Sequence, residues 1–579
     1  MSATLASCLE DAARGGGTIT FVDARERETK LSHAELYERA RRAASGLIAR
    51  GISPGDRVAV IAATSPEFFD GFFGAVLASA VPVPLYPPVR LGRLSEYHER
   101  TAAMLRAARV RLVLADGRTR RVLGRTIEQA RPELGCEPLD EIQGAAIALP
   151  AQAPDALGFI QFSSGTTQAP KPVALSHRQI LANVRAIGSE ILRAYPDGEH
   201  LRHVAVSWLP LYHDMGLVGG VLTSLFHGRD LVLIPPEHFV ARPALWLRAI
   251  SRHRATISPA PNFAYALCVE RVRDDELAGV DLSSWRVAMN GAEPVTPSVL
   301  ERFVARFAAY GLREEALTPV YGLAEATLAV TFSALRRRFV VNHFDALALE
   351  ESRALPAAEG GSPIVSLGPP LPGFAVEIRD EAGVALSEGA IGRVAVRGPS
   401  LMTAYDGMPE ETARVLRAGW LDTGDSGFLW RGELHLYGRT KDLIIVRGRN
   451  HAPQDIEQAL EGVPGMRAGC SVALGALGVD GAGEELWVFV ERAHGAREPD
   501  DAIADAVGRR ALECSGLLPA RVLVLAPGTL PRTSSGKIRR AEALRLYRSG
   551  ALAPPAPVSI PRLAVEMARS AWAFARARS

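Results

Sequence analysis

Along the first 150 residues the apolar positions switch repeatedly between a helical and an extended period. Residues 31–47 carry apolar side chains at helical spacing, and Ser32 with Glu35 three positions on is a capping-box signature at their start. Residues 55–61 then read as a strand after a turn, 68–77 as an apolar helix, 81–88 as extended chain and 110–115 as another strand. Such alternation predicts a layered α/β architecture with a largely parallel sheet. The apolar run 157–162 reads as a buried strand that stops abruptly in small hydroxyl residues. A strand from Val204 leads to a loop with His213 and Asp214 and then to an apolar, glycine-containing helix. Residues 286–297 read as strand, tight turn and helix start, with Thr296 as N-cap and Pro297 at the first helical position. Residues 427–437 resemble a hairpin, and Pro453 opens a helix. A second run of α/β signals covers 443–547, which sets a boundary near Lys441. The tail changes character: a Pro-rich linker over 551–561 precedes a short helical stretch holding Trp572, Phe574 and several arginines. That stretch reads first as a frayed or loosely docked terminal helix, with a docking segment for a partner or a weak membrane contact as the lesser alternative.

Length adds that one compact core is not enough: 579 residues predict at least two domains. A net charge of +2 gives no basis for binding nucleic acid or an anionic membrane. The five cysteines (Cys8, Cys136, Cys268, Cys470, Cys514) are scattered and form no CxxC, which argues against a disulfide framework or a zinc site. The N-terminus lacks a basic-then-apolar leader, and the longest apolar stretch, 71–86, is too short and too broken by Pro82 and Pro84 to span a bilayer. The expectation is a cytoplasmic protein without a transmembrane segment.

Candidate chemistry gathers on few residues. Ser163, Ser164, Gly165, Thr166 and Thr167, followed by Lys171, form a turn able to aim hydroxyls, backbone N–H groups and an ammonium at one anion, a polyphosphate by preference. It departs from the Walker pattern because Pro172 stands where a Ser or Thr should follow the lysine, and the same composition suits an ordinary surface turn. His213 suits a position beside a bound carboxylate, or a solvated turn. Gly291 and Ala292 are small enough for a flat ring to approach the backbone. Tyr321 and Glu325 share one face if their segment is helical, with an aromatic for a nucleobase and a carboxylate for Mg2+; a core Tyr and a surface Glu fit as well. Asp425 is suited to the two hydroxyls of a ribose. Only four lysines occur (Lys30, Lys171, Lys441, Lys537) among 66 basic residues. In a chain so biased towards arginine, a lysine marks a place where a compact ammonium is wanted. Lys537 sits in a second Gly-containing loop, Pro-Arg-Thr-Ser-Ser-Gly-Lys.

In order and over residues 20–548, these stretches resemble the adenylate-forming superfamily of acyl-CoA synthetases, peptide-synthetase adenylation domains and luciferases. Ser-Trp-Leu-Pro-Leu-Tyr-His-Asp-Met-Gly-Leu217, Pro261-Asn-Phe-Ala-Tyr265 and Val446-Arg-Gly-Arg-Asn-His-Ala-Pro-Gln-Asp-Ile-Glu457 are most similar to fatty acyl-AMP ligases. The resemblance implies a large N-terminal domain of stacked mixed α/β sheet subdomains over 1–440, a small mobile C-terminal α+β domain over 441–550, and the linker and helix of 551–579. It implies ATP-dependent activation of a medium- or long-chain fatty acid to the acyl-adenylate, with release of pyrophosphate, and transfer to the phosphopantetheine thiol of an acyl carrier protein. The roles that carry over are these. Residues 163–167 and Lys171 hold the β- and γ-phosphates. Gly291, Ala292, Glu293 and Tyr321 line the adenine, and Glu325 binds Mg2+. Asp425 and Arg439 hold the ribose, Lys537 bridges carboxylate and α-phosphate, Lys441 is the hinge, and His213 lies near the reacting carboxylate. An insertion over 336–363 matches one that fatty acyl-AMP ligases carry and that is associated with holding the small domain away from CoA-dependent thioester formation. Gln168 and Pro172 replace the usual glycines of the phosphate loop, which predicts a stiffer loop and an altered turnover. An acyl-CoA synthetase and a catalytically silent acyl-nucleotide binder remain as alternatives, and an amino-acid-activating domain would place an Asp where His213 stands.

Overall fold

The computed structural model describes residues 2–88, 91–145, 147–163, 170–196, 202–357, 360–446, 449–477, 484–533, 536–555 and 560–577. The capping box forms at the head of helix His33–Ala49: Ser32 Oγ accepts the Glu35 N–H at 3.1 Å and Glu35 Oε2 accepts the Ser32 N–H at 2.9 Å. Strand Arg57–Ile61, helix Pro66–Leu77, strand Val81–Leu85 and strand Val110–Ala115 follow where the pattern puts them. Helix Pro66–Leu77 is apolar because it is surrounded. Phe68, Phe69, Phe72 and Phe73 are all buried, their ring centroids 5.2–6.1 Å apart.

Two mainly parallel sheets form much of the large region. In the eight-stranded sheet the order is Ala329–Phe332, Leu317–Gly322, Val287–Asn290, Ile257–Ala260, Val204–Ser207, Asp230–Leu233, Thr18–Val22, Glu28–Ser32. Its interior pairs are parallel and both edge pairs antiparallel. A four-stranded sheet, Val81–Leu85, Arg57–Ile61, Val110–Ala115 and Cys136–Pro138, is wholly parallel. An antiparallel sheet contains Trp420–Trp430 and Glu433–Arg439, the expected hairpin. The C-terminal region is smaller and of α+β type. Met466–Leu477 and Glu484–Arg492 run antiparallel, Arg521–Leu525 joins in parallel, and helices Pro453–Ala459, Asp500–Ser515 and Arg540–Arg548 accompany them.

Three expectations change. The segment of Tyr321 and Glu325 is not a helix: Tyr321 lies on strand Leu317–Gly322, and Glu325 on the single turn Ala324–Ala326 that follows. Thr296 precedes helix Pro297–Phe307 as expected, but its hydroxyl accepts from Asn262 Nδ2 at 3.0 Å rather than from a helix amide. The terminal helix, Ile560–Ala577, is neither frayed nor loose. It lies on helix Gly117–Ala130 of the large region, with Ser570 and Ala573 buried. Among the described residues no helix is long and apolar enough to cross a membrane, and all five cysteines are free thiols.

Candidate active site

Four parallel strands of the eight-stranded sheet end at one place. Loops after Val204–Ser207, Val287–Asn290 and Leu317–Gly322 bring His213, Ala292 and Glu325 to a cavity of about 300 Å3, with Pro259 of strand Ile257–Ala260 and Tyr321 lining it from the strands themselves. A crevice beyond the carboxyl ends of parallel strands is where sheets of this kind bind ligands. Met289, Phe332 and Ile187 contribute an apolar wall continuous with one buried cluster that Val320 and Leu328 also join. The remaining wall is charged: Lys171, Arg393, Arg439, Lys441 and Lys537 against the carboxylates Asp214, Glu325 and Asp422. Five cations to three anions favour an anionic ligand. Three of the four lysines therefore meet in one cavity, and the fourth, Lys30, is exposed on the edge strand Glu28–Ser32.

Lys537 arrives from the small region. Its backbone is fixed by a tight loop in which the Thr533 N–H donates to the Lys537 carbonyl at 2.7 Å and the Lys537 N–H donates to Thr533 Oγ1 at 3.0 Å. Burial lowers the pKa of its ammonium, and Glu293 and Asp214 oppose that by favouring the charge. Asp214 is buried, which raises its pKa, yet His213, Lys537 and the Met215 N–H together hold it below the ordinary value. His213 Nδ1 lies 2.6 Å from Asp214 Oδ1. An imidazole and a buried ammonium thus face one carboxylate at the edge of an apolar wall.

Glu325 Oε1 accepts from the Tyr405 hydroxyl at 2.8 Å, and burial raises its pKa against the pull of Tyr405 and Arg439. Tyr405 lies in turn beneath Lys171, whose Nζ is 4.8 Å from the ring centroid and 2.8 Å from Glu411. Tyr321 donates to Asp425 Oδ2 at 2.6 Å, and Arg439 Nε lies 2.8 Å from Asp425 Oδ1. Both oxygens of Asp425 are therefore engaged, and the surfaces that line the cavity beside it are Asp422, Thr423 and Gly424. Each oxygen still has a second lone pair, so Asp425 keeps acceptor capacity for a ribose hydroxyl.

The turn after Asn290 differs from expectation in detail. Ala292 lines the cavity with φ 68°, a left-handed conformation unusual for a residue with a Cβ. Gly291 does not line it. A Cβ there would stand 2.8 Å from the Val320 carbonyl oxygen, so its smallness serves packing against the neighbouring strand. Glu293 accepts the Phe263 N–H at 2.5 Å; burial raises its pKa, and Phe263 and Lys537 draw it back. Ser163 lines the cavity, and its Oγ accepts the Lys171 N–H at 3.1 Å. Ser164, Gly165, Thr166, Thr167 and Gln168 lie outside the described residues. Pro172 opens strand Pro172–Ser176, a position where a missing N–H is tolerated.

Several residues of the site carried no local signal. Tyr405 and Glu411 follow a stretch without a recognisable motif, and Asp422 shares its motif with Asp425. Gln161 donates to the Tyr212 carbonyl at 2.5 Å, and on the cavity wall its buried Oε1, like Thr440 Oγ1, has no partner among the described residues. Unmet acceptors beside a cationic wall are suited to a polar ligand. Mg2+ is commonly held by one or two carboxylates together with substrate phosphates, a pattern that Glu325 fits.

The AMP-binding enzyme family model matches residues 9–406. A Caulobacter vibrioides protein named, provisionally, an acyl-CoA synthetase is 36% identical over 556 residues, covering 94% of this chain and 96% of its own. JamA of Moorena producens, a medium-chain-fatty-acid–[acyl-carrier-protein] ligase, is 34% identical over 563 residues, 92% of each chain. A solved structure from work on fatty acyl-adenylate ligases of E. coli and L. pneumophila superposes with a TM-score of 0.87 at 36% identity, covering 94% of this chain and 98% of that one. With the cavity at the carboxyl ends of the sheet and a lysine entering it from the small region, the chain belongs to the AMP-binding enzyme family.

Proposed function

We propose that this enzyme joins a fatty acid to AMP and then passes the acyl group to the phosphopantetheine thiol of an acyl carrier protein. In the first step a carboxylate oxygen attacks the α-phosphorus of ATP, the bond to the β-phosphate breaks, and pyrophosphate leaves. In the second the thiolate attacks the acyl carbonyl and AMP leaves. The observation that carries the reading is that Lys537 enters a cavity whose lining combines an apolar wall, suited to an alkyl chain, with a cationic wall, suited to a polyphosphate. Both reactants are anions, so a site sheltered from water must supply cations before they can approach.

Lys537 would bridge the carboxylate and the α-phosphate and stabilise the charge that develops in line. His213, held by Asp214, would fix the carboxylate. Lys171 and Ser163, with the neighbouring residues 164–167, would take the β- and γ-phosphates, and Arg439 with Asp425 and Asp422 the ribose. Ala292 and Tyr321 would face the adenine. Bound Mg2+ would neutralise phosphate charge, and Glu325 would hold it.

The division into 1–440, 441–550 and 551–579, with Lys441 as the hinge, belongs to the same proposal. The insertion supports the carrier-protein reading. Its helix Ala346–Glu350 ends in Glu350, which lies 3.1 Å from Arg449 and 3.6 Å from His451 of the small region, while Asn450 Nδ2 donates to Ser352 Oγ at 3.3 Å. JamA supports it also, through its stated carrier-protein acceptor. A second reading, fatty acyl-CoA synthetase, draws on the name of the Caulobacter relative. A cytoplasmic location fits either. Mass spectrometry of the protein given ATP, Mg2+, a panel of fatty acids and CoA separates them. Accumulated acyl-AMP with little acyl-CoA supports the ligase, abundant acyl-CoA the synthetase, and no adenylate from any acid overturns both.

A further inference from the structure

The chain returns to the large region after the small one is complete. Helix Ile560–Ala577 crosses helix Gly117–Ala130 at a point built for close approach: the Gly124 N–H donates to Ser570 Oγ at 2.7 Å, and a Cβ on Gly124 would stand 2.1 Å from the Ser570 carbonyl oxygen. On either side of the crossing Arg120 lies over the Phe574 ring, 5.1 Å from its centroid, and Arg576 reaches Glu128 at 3.5 Å. Phe574 packs against the buried cluster that includes Leu123 and Ile127.

A neighbouring helix, Leu94–Ala107, grips the small region itself. Arg93, at its start, donates to the carbonyls of Gly528 (3.4 Å), Thr529 (3.2 Å) and Ala553 (3.3 Å), and Arg539 lies 3.8 Å from Glu96. The Pro555 ring covers Gly528, where an added Cβ would stand 3.4 Å from it. His98 Nδ1, 2.9 Å from Thr126 Oγ1, joins the two large-region helices into one platform. The small region is therefore attached at both ends, through the chain near Lys441 and through the terminal helix, and the second attachment lies next to the loop that carries Lys537.

We propose that helix Ile560–Ala577 is an intramolecular strap that holds the small region with Lys537 in the cavity and so disfavours the reorientation needed for thioester formation. This rests on the function proposed above. Each contact of Arg93 is an exchangeable polar contact, yet a docked helix a few residues further along the chain keeps its partners at high effective concentration. Undocking removes that bias and shifts the population of orientations without touching the reacting groups.

Two full-length variants test it. Gly124→Leu raises the propensity of its own helix and puts its side chain where the Ser570 backbone lies, so the clash falls on the strap. Ser570→Glu buries an unpaired charge at the same crossing from the other side. Hydrogen exchange over 560–577 reports undocking, and exchange over 529–539 reports release of the Lys537 loop. Acyl-AMP formation and acyl transfer to CoA are timed separately by mass spectrometry. The expected result is faster exchange in both segments, acyl-AMP formation within about twofold of the parent, and transfer to CoA raised about fivefold or more, the lower end of ordinary coupling between sites. An undocked strap with a protected 529–539 loop and unchanged transfer overturns the proposal, as does an equal fall in both rates. A parent enzyme that forms no adenylate refutes the proposed function instead, and the exchange data still decide whether the strap holds the loop.

Discussion

Lys537→Ala tests the assignment on which the proposed chemistry depends. The ammonium is buried in the cavity with Glu293 and Asp214 as the carboxylates that favour its charge. In the proposed reaction its partner is the negative charge shared between the incoming carboxylate and the α-phosphate. One unit charge at 4 Å and an effective dielectric constant of 20 is worth about 4 kcal/mol, and loss of a single donor to a developing oxyanion costs about 2.7–4 kcal/mol elsewhere. The two estimates agree on a fall of about 10²–10³ in the rate of acyl-AMP formation. ATP affinity should move little, because Lys171, Arg439 and the 163–167 loop are untouched. Lys537→Arg sharpens the test: a planar guanidinium does not replace a compact ammonium in a closed site, so that variant should recover only a small part of the loss. Burial lowers the lysine pKa, so the active ammonium is lost as pH rises through a value below the ordinary 10.5, and the alkaline limb of the rate profile should lie earlier than a free lysine would set it. In Lys537→Arg that limb should disappear. The assay is single-turnover acyl-AMP formation followed by mass spectrometry across pH, with ATP binding by calorimetry. Adenylation of the alanine variant within threefold of the parent would refute the role.

Further predictions follow from contacts at the same wall and from buried histidines. Glu411→Gln removes the carboxylate that pairs with Lys171. Such an ion pair near solvent is weak, so the KM for ATP should fall by no more than about fivefold with kcat less affected; an unchanged or higher KM counts against Glu411 as a competitor for the phosphates. Glu325→Gln keeps an acceptor for the Tyr405 hydroxyl and removes the charge, and the Mg2+ concentration for half-maximal rate should rise by at least the roughly tenfold that loss of an outer-shell partner alone costs; an unaltered Mg2+ titration excludes Glu325 as its ligand. His98 and His177 are buried and neutral, and burial lowers both pKa values from 6.5 to about 4. The unfolded chain therefore binds more protons between those values, and stability is complete above pH 6.5 and declines towards pH 4 by about 3 kcal/mol for each histidine. Urea titrations across that range should show the slope, and His98→Gln should make it shallower.

How much of this was legible in the sequence depends on how far apart the interacting residues lie. The capping box of Ser32 and Glu35, the strand Val110–Ala115 and the Pro-opened helices Pro297–Phe307 and Pro453–Ala459 are set by neighbours within a turn, and all stand where the pattern predicts. The lysine scarcity also carried information: Lys171, Lys441 and Lys537 line one cavity because in each place a small, strongly charged group is wanted. Contacts across 100 residues or more were invisible. Tyr321 is an aromatic beside a proposed nucleobase site, but its hydroxyl belongs to Asp425, 104 positions away. Gly291 looks like room for a ligand and is room for Val320. The apparent helix of Tyr321 and Glu325 fails because strand pairing of Leu317–Gly322 with its neighbours outweighs the helical preference of Leu-Ala-Glu-Ala.

The tail makes the same point with a functional consequence. Read alone, residues 560–577 are an amphipathic helix whose apolar face has no assigned partner, and docking to another molecule explains it as well as docking to the chain itself. Gly124 gives the sequence no hint either, since a glycine inside a helical stretch ordinarily signals only a weak helix. Brought together, the two explain each other: Gly124 is small so that the Ser570 backbone can approach, and Ser570 is polar because it meets an N–H there. Glu350, in the proposed insertion, contacts the small region at Arg449 and His451, while Arg93 contacts it at Gly528 and Thr529 and Gly124 meets the terminal helix at Ser570. With the proposed hinge at Lys441, a small region held on both sides of it favours the orientation in which Lys537 is buried. If both braces act, releasing either alone should raise transfer to CoA only partly, and releasing both should raise it by more than the product of the separate effects, because each brace keeps the other's contacts in reach.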